Sequence, residues 1–219
     1  MDDEEKGRLG EKSSAGNLSL LGGYLCLDFV NTVDWRLGER PRDWLATYGD
    51  LIAWSRHAGI LSASGAGRLL RESERSPDAA DAALRSALAL REAVYRIFSS
   101  IAAARGPRTA DIAVLNRALS ISLPHRRLAP RTGGFEWDWT RRGETLERPM
   151  WDIAQSAADL LTSGQLHRVR QCGDERCGWL FFDRSKNRSR RWCSMDDCGN
   201  RAKARRHYRR SRASDTRGG

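Results

Sequence analysis

Apolar residues along this chain follow two different periods, and the changes of period mark its elements. The longest regular stripe, Leu84, Leu88, Val94, Phe98 and Ile101, repeats near 3.6 residues and predicts one long helix. Ser76 can cap its free amides, Pro77 fits the first helical position, and Gly106-Pro107 stops it. Thr109 opens a following helix carrying Ile112, Leu115 and Leu119, which Pro124 breaks. Upstream, Leu51, Ile52 and Trp54 predict a short helix ended near Gly59, and residues 62–75 predict another. Pro149 opens a last helix over residues 150–162, closed by Gly164. Residues 126–142 switch to period two: Arg127 to Pro130, a turn at Thr132-Gly133-Gly134, then Phe135-Glu136-Trp137-Asp138-Trp139. That pattern predicts a hairpin. Residues 24–33 are apolar almost throughout; the interruptions Asp28, Asn31 and Thr32 fall at i, i+3 and i+4, one face of a helix. Residues 1–17 have no apolar periodicity and predict a disordered tail. The fold class expected is mainly α with a small antiparallel β-hairpin or sheet (α+β), with a helical domain over residues 18–165.

Charge changes the picture at residue 165. Before it, 22 basic residues balance 22 acidic ones; after it, 16 basic residues face 6 acidic, so the whole net charge of +10 lies in the last quarter. Such asymmetry points to a polyanionic partner for one end of the molecule. No stretch approaches the ~20 consecutive apolar residues of a membrane span, so no membrane partner is expected. The acidic, polar N-terminus lacks a signal peptide's pattern, and a cytoplasmic, reducing location is the expectation. Paired cysteines there more often hold metal than form disulfides.

Four of the five cysteines stand in two matching pairs, Cys172-x4-Cys177 and Cys193-x4-Cys198. Two knuckles each supplying two thiolates can converge into one tetrahedral site, so one structural Zn2+ is the expected cofactor. Two disulfides, or thiols buried as small hydrophobes, are the alternatives. Gly173 and Gly178 suit the tight knuckles, and the segment between the pairs reads as a hairpin returning through Arg190-Arg191-Trp192. A segment of some 45 residues has little apolar area to offset chain entropy, and a metal is the staple it needs. Trp179, Phe181 and Trp192 fit its small core; His167 and His207 lie outside the pairs, and Cys26 reads as a buried core thiol. The small domain, residues 166–213, thus has a treble-clef-like layout, with residues 214–219 a disordered end.

Asn200, Arg201, Lys203, Arg205, Arg206, Arg209 and Arg210 lie on a strongly helix-forming run, with Arg201, Arg205, Tyr208 and Arg212 along one face. Arg184, Lys186, Arg188, Arg190 and Arg191 form a second basic run before Cys193. Guanidinium groups at this density suit phosphate, and a helix about 10–12 Å across matches the major groove of duplex DNA. Double-stranded DNA is the expected partner.

The block Arg191-Trp192-Cys193-Ser194-Met195-Asp196-Asp197-Cys198-Gly199-Asn200-Arg201 resembles the signature of the CGNR zinc-finger family, named for Cys198-Gly199-Asn200-Arg201. Gly22-Gly23 with residues 25–32 resembles the opening of the ABATE domain usually paired with that finger. The resemblance implies a stress-induced transcription regulator and assigns Cys172, Cys177, Cys193 and Cys198 as zinc ligands.

No phosphate-cradling glycine loop, nucleophile elbow or His-Glu zinc motif occurs, and a four-thiolate zinc has no open position, so no enzyme is expected. Asp28, Asn31, Thr32 and Arg36 form either a satisfied buried network or a polar anchor for a small-molecule effector. The sequence thus reads as a DNA-binding transcription regulator whose N-terminal domain senses a ligand or forms a homodimer. An RNA-binding protein, or a small-molecule-binding enzyme with a localising basic tail, is the alternative.

Overall fold

Helix α4 (Pro77–Ala102) is the axis of the computed structural model, which describes residues 13–140 and 145–215. Its buried residues, among them Ala80, Ala83, Leu84, Ala87, Leu90, Val94, Ile97 and Phe98, recur every three or four positions. Pro77 occupies the start as expected, but Ser76 provides no side-chain cap; its hydroxyl turns to Glu72. Around α4 pack α1 (Leu25–Val30), α2 (Tyr48–His57), α3 (Ala63–Arg75), α5 (Thr109–Ser122) and α6 (Arg148–Thr162). Thr47 and Asp50 close a reciprocal capping box on α2, and the Ser62 hydroxyl accepts the Gly65 amide at the start of α3. Phe29 of α1 meets Trp54 of α2 with ring centroids 5.1 Å apart, both fully buried.

Two stretches differ from expectation at the N-terminal end. Residues 15–17 form a single 3-10 turn with Ala15 and Leu18 buried against α2, and the Leu18 carbonyl lies 2.6 Å from His57 Nε2. Apolar burial at two spaced positions is enough to order this segment; residues 1–12 of the expected tail lie outside the described residues. Helix α1 is also shorter than its apolar run: Asn31 ends it and Trp35 adopts left-handed backbone, φ 52°. The chain then forms β1 (Val33–Asp34), paired antiparallel with β2 (Arg42–Asp43). Arg91 of α4, almost fully buried, donates to both Asp43 oxygens (2.8 and 2.6 Å) and to Thr32 Oγ1 (3.1 Å). Burial alone would raise the Asp43 pKa, but the Arg91 guanidinium outweighs it and holds the carboxyl below its usual value.

The hairpin forms in the expected place, β3 (Arg126–Arg131) with β4 (Gly134–Trp139) around Gly133. Its register puts Arg126 opposite Trp139, Leu128 opposite Trp137 and Pro130 opposite Phe135, so these six share one face. That face is buried at Trp139 but open to solvent at Leu128, Phe135 and Trp137.

The C-terminal part is not an appended module. A 3-10 turn at Leu166–Arg168 leads into β5 (Val169–Gln171), which pairs antiparallel with β6 (Leu180–Phe182). The expected hairpin partner of β6, residues 190–192, is thus replaced by β5, which precedes the first cysteine. Period-two alternation in residues 179–182 explains the arrangement: Trp179 and Phe181 pack with the cysteines, while Leu180 and Phe182 join Val169 in the main hydrophobic core. Both faces of β6 are buried, so the small domain completes the core of the large one. The last helix, α7 (Asn200–Asp215), extends past the expected end at residue 213. No helix among the described residues is long and apolar enough to cross a membrane.

Candidate metal centre and nucleic-acid interface

The first knuckle is held by backbone. Cys172 N donates to Trp179 O (2.8 Å), Cys177 N to Asp174 O (3.1 Å), and Arg176 N to Asp174 Oδ1 (3.1 Å), closing a tight turn. Gly178 leaves it with φ 72°; a Cβ there would sit 2.9 Å from Leu37 Cγ, so only glycine fits. In the second knuckle, Ser194 caps one wide turn over Met195–Gly199 that contains Cys198 and runs straight into α7. The four Sγ atoms lie within 4.8 Å of one another and all four cysteines are buried.

The spacings fit zinc. A tetrahedron with Zn–S bonds of about 2.3 Å has edges of about 3.8 Å, and Cys177–Cys193 and Cys193–Cys198 are 3.7 and 3.5 Å apart. A disulfide would bring sulfurs to about 2.05 Å; all five cysteines are free. The thiols in this cluster perturb one another strongly, and Cys193 is pushed up chiefly by hydrogen bonding with Cys172, Cys177 and Cys198. A divalent cation is what lets all four ionise together. Cys193 N (3.4 Å to Cys172 Sγ) and Arg201 Nη2 (2.9 Å to Cys198 Sγ) supply the donors that steady thiolates. One structural Zn2+ fits, held by Cys172, Cys177, Cys193 and Cys198. His167 is exposed and takes no part in this cluster; the side chain of His207 lies outside the described residues. Cys26 stands apart in the main core, its thiol pushed up to about 12 by burial.

The basic residues divide into two sets. Arg201 and Arg205, expected on a phosphate-binding face of α7, turn inward: both pair with Asp174 Oδ2, at 3.4 and 3.2 Å. Arg201 also lies 4.5 Å over the Trp35 ring. Asp174 has no solvent exposure, so its carboxylate must be neutralised, and these arginines do it. Arg190 is likewise structural, stacked 4.4 Å over Phe181 and donating to the Trp192 and Cys193 carbonyls. Asp183, also buried, receives the Ser185 and Arg190 amides; burial would raise its pKa, but the Ser185 hydroxyl and these amides hold it below its usual value. Arg184 reaches the Gly23 carbonyl (2.9 Å) and Asn200 Nδ2 the Asp196 carbonyl (2.9 Å), while both stay exposed. Lys186, Arg188, Arg191, Lys203 and Arg206 are exposed, and among the described residues none of the five pairs with an acid. The side chains of Arg209, Arg210 and Arg212 lie outside the described residues.

Asp28, Asn31, Thr32 and Arg36 do not converge on one pocket. Asn31 Oδ1 accepts the Leu180 amide (2.9 Å) while Nδ2 donates to the Leu180 carbonyl (2.8 Å). Thr32 donates to Phe29 O and accepts from Arg91. Arg36 grips Glu92 (2.6 and 3.2 Å) and lies 4.1 Å over Tyr95; because α1 ends at Val30, it does not reach Asp28. Asp28 instead accepts the Gly22 amide (2.7 Å), and burial raises its pKa to about 6. The set works as a clamp, joined by Trp179 Nε1 to Val33 O (3.0 Å) and by the Arg36 and Leu37 amides to the Cys177 and Arg176 carbonyls. Sequence reasoning missed Asp174, Arg91 and Glu92, whose ion-pair partners Arg201, Asp43 and Arg36 lie 27 to 56 positions away with no local pattern to betray them.

Residues 23–164 match the family described as "ABATE: Putative stress-induced transcription regulator", and residues 168–211 match the CGNR zinc finger. No curated protein matches the chain.

Proposed function

We propose that this chain, which belongs to the ABATE family and ends in a CGNR zinc finger, regulates transcription by holding duplex DNA on the outer face of the finger. The observation that carries this reading is the division of its basic residues. Arg201 and Arg205 fix α7 to the metal knuckle through Asp174. Lys186, Arg188, Arg191, Lys203 and Arg206 are left exposed without acidic partners among the described residues, on the preceding loop and on α7. Unpaired cations on a rigid, metal-stapled frame bind phosphate and release counterions. A metal closed by four thiolates has no open position for a reacting water, which favours a structural role over catalysis.

RNA binding is the competing reading; of the two aromatics it would use for base stacking, Trp179 is buried in the finger core, while Tyr208 on α7 is exposed. The test is competition among a duplex DNA, a single strand and a structured RNA of equal length. Preference for the duplex supports the reading; preference for the structured RNA overturns it. Because β6 belongs to both cores, a rearrangement of α1 or α4 around Leu180 and Phe182 would change the seat of the finger, which suits a regulator.

A further inference from the structure

A cleft of about 420 Å³ opens between the α2–α3 connection, strand β4 and the first turns of α6, well away from the cysteine cluster. Ile60, Trp137, Trp139 and Asp152 line it and also line a second hollow of about 280 Å³, so the two form one continuous depression. Its wall is aromatic: Trp137 is 59% exposed, although an indole in an ordinary fold would be covered. Arg126 stacks 4.4 Å over Trp137, and Arg148 lies 5.5 Å from the centre of the Trp139 ring.

The polar groups around this depression are not fully used. Arg148 is only 4% exposed, yet among the described residues its Nε has no hydrogen-bond partner, and neither do Arg126 Nε and Gln155 Oε1. Buried polar atoms are nearly always paired, and three exceptions bordering one depression call for a missing partner there. Of the two acids lining it, Asp152 is ion-paired and Asp159 holds a neutral amide. Asp152 accepts from Arg148 (2.5 Å) and from Trp139 Nε1 (2.8 Å), and Asp159 accepts from Gln155 (2.6 Å). Among the described residues the lining carries Arg68, Arg126 and Arg148 against Asp152 and Asp159, one cation in excess, which favours a planar anion.

We propose that this depression binds a small planar aromatic anion, an arene bearing a carboxylate, with the ring against Trp137 and Trp139 and the charge matched by Arg126. Tyr24 and Leu25 line the inner hollow. The Tyr24 ring meets Phe182 of the finger edge-on at 5.0 Å, so an occupant there sits one side chain from β6.

The experiment uses the full zinc-loaded chain and 1-naphthoate as the probe, with 1-naphthylmethanol and 1-naphthylmethylammonium as neutral and cationic comparators. Calorimetric titration should give saturable binding of one naphthoate per chain, at least tenfold tighter than either comparator. Trp137→Ala and Arg126→Gln should each weaken it at least tenfold. Phe135→Ala, on the same exposed hairpin face but outside the depression, should bind as the parent protein does. Absence of saturable binding, equal affinity for the cation, or an equal loss in Phe135→Ala overturns the proposal. No readout involves DNA, so a failure of DNA binding would leave this result standing.

Discussion

Asn31 and Leu180, 149 positions apart, exchange two hydrogen bonds: the asparagine amide stands where a neighbouring strand would pair with β6. Asn31 is 3% exposed and Leu180 is fully buried, so no water substitutes for either bond. Asn31→Ala leaves a buried amide and carbonyl without partners, at a cost of about 1–3 kcal/mol each. Urea unfolding should show that loss, together with faster amide exchange in residues 180–182. Unchanged exchange there would mean that the clamp does not hold the finger.

Zinc removal should therefore reach beyond the finger. Val169, Leu180 and Phe182 lie in the main core, so stripping the metal with a strong chelator should lower a single cooperative melt by more than about 5 °C. The double change Cys177→Ser and Cys193→Ser should abolish stoichiometric zinc and lower the melt similarly. Two separate transitions, the larger at an unchanged temperature, would contradict the shared core.

The carboxyl of Asp28 titrates against the fold. Its pKa rises from 3.8 to about 6 on folding, because burial disfavours the charged form more than the Gly22 amide and His57 favour it. Protonated Asp28 thus adds stability below pH 4, and that contribution is lost as the pH rises through about 6. Asp43 and Glu92, both lowered by arginine partners, run the other way and lose stability as pH falls. Asp28→Asn keeps the acceptor for Gly22 and removes the charge, so at pH 7 it should stabilise the protein by up to about 3 kcal/mol at 1.36 kcal/mol per pKa unit. The difference between variant and parent should shrink as the pH falls through about 6 and vanish only below the unfolded value of 3.8. A variant less stable than the parent at pH 7 would show that the carboxylate is compensated there.

Much of this architecture is legible in the residues themselves. The stripe Leu84, Val94 and Phe98 of α4, the turn at Gly133 and the two cysteine pairs are local patterns, and local patterns survive folding. What could not be read depends on which distant group arrives. Nothing near Arg201 distinguishes it from Lys203, yet one faces Asp174 and the other faces solvent. Residues 179–183 read as a strand, but the choice of β5 as its partner is made by Leu180 and Phe182 entering a core built from residues 18–160. The Trp137 depression was likewise hidden, because its walls join Tyr24 and Leu25, the α2–α3 connection, and the hairpin with α6.

Anchoring and solvent-facing basic residues should separate on substitution. Arg201→Ala removes one of two cations from buried Asp174 and the donor to Cys198, which should destabilise at the lower end of the roughly 3–5 kcal/mol typical of a broken buried pair. Lys203→Ala should stay within about 0.5 kcal/mol of the parent. Thermal melts check both; equal effects would erase the distinction between the two sets.

The most direct test of the outer face is the salt dependence of duplex binding. Each phosphate neutralised contributes about −0.9 to the slope of log K against log salt. The triple change Lys186→Ala, Arg188→Ala and Lys203→Ala should keep the melting temperature, weaken binding, and make the slope shallower by roughly 2.7, about 0.9 for each lost contact. A triple variant that binds duplex DNA with the slope of the parent protein would contradict the account.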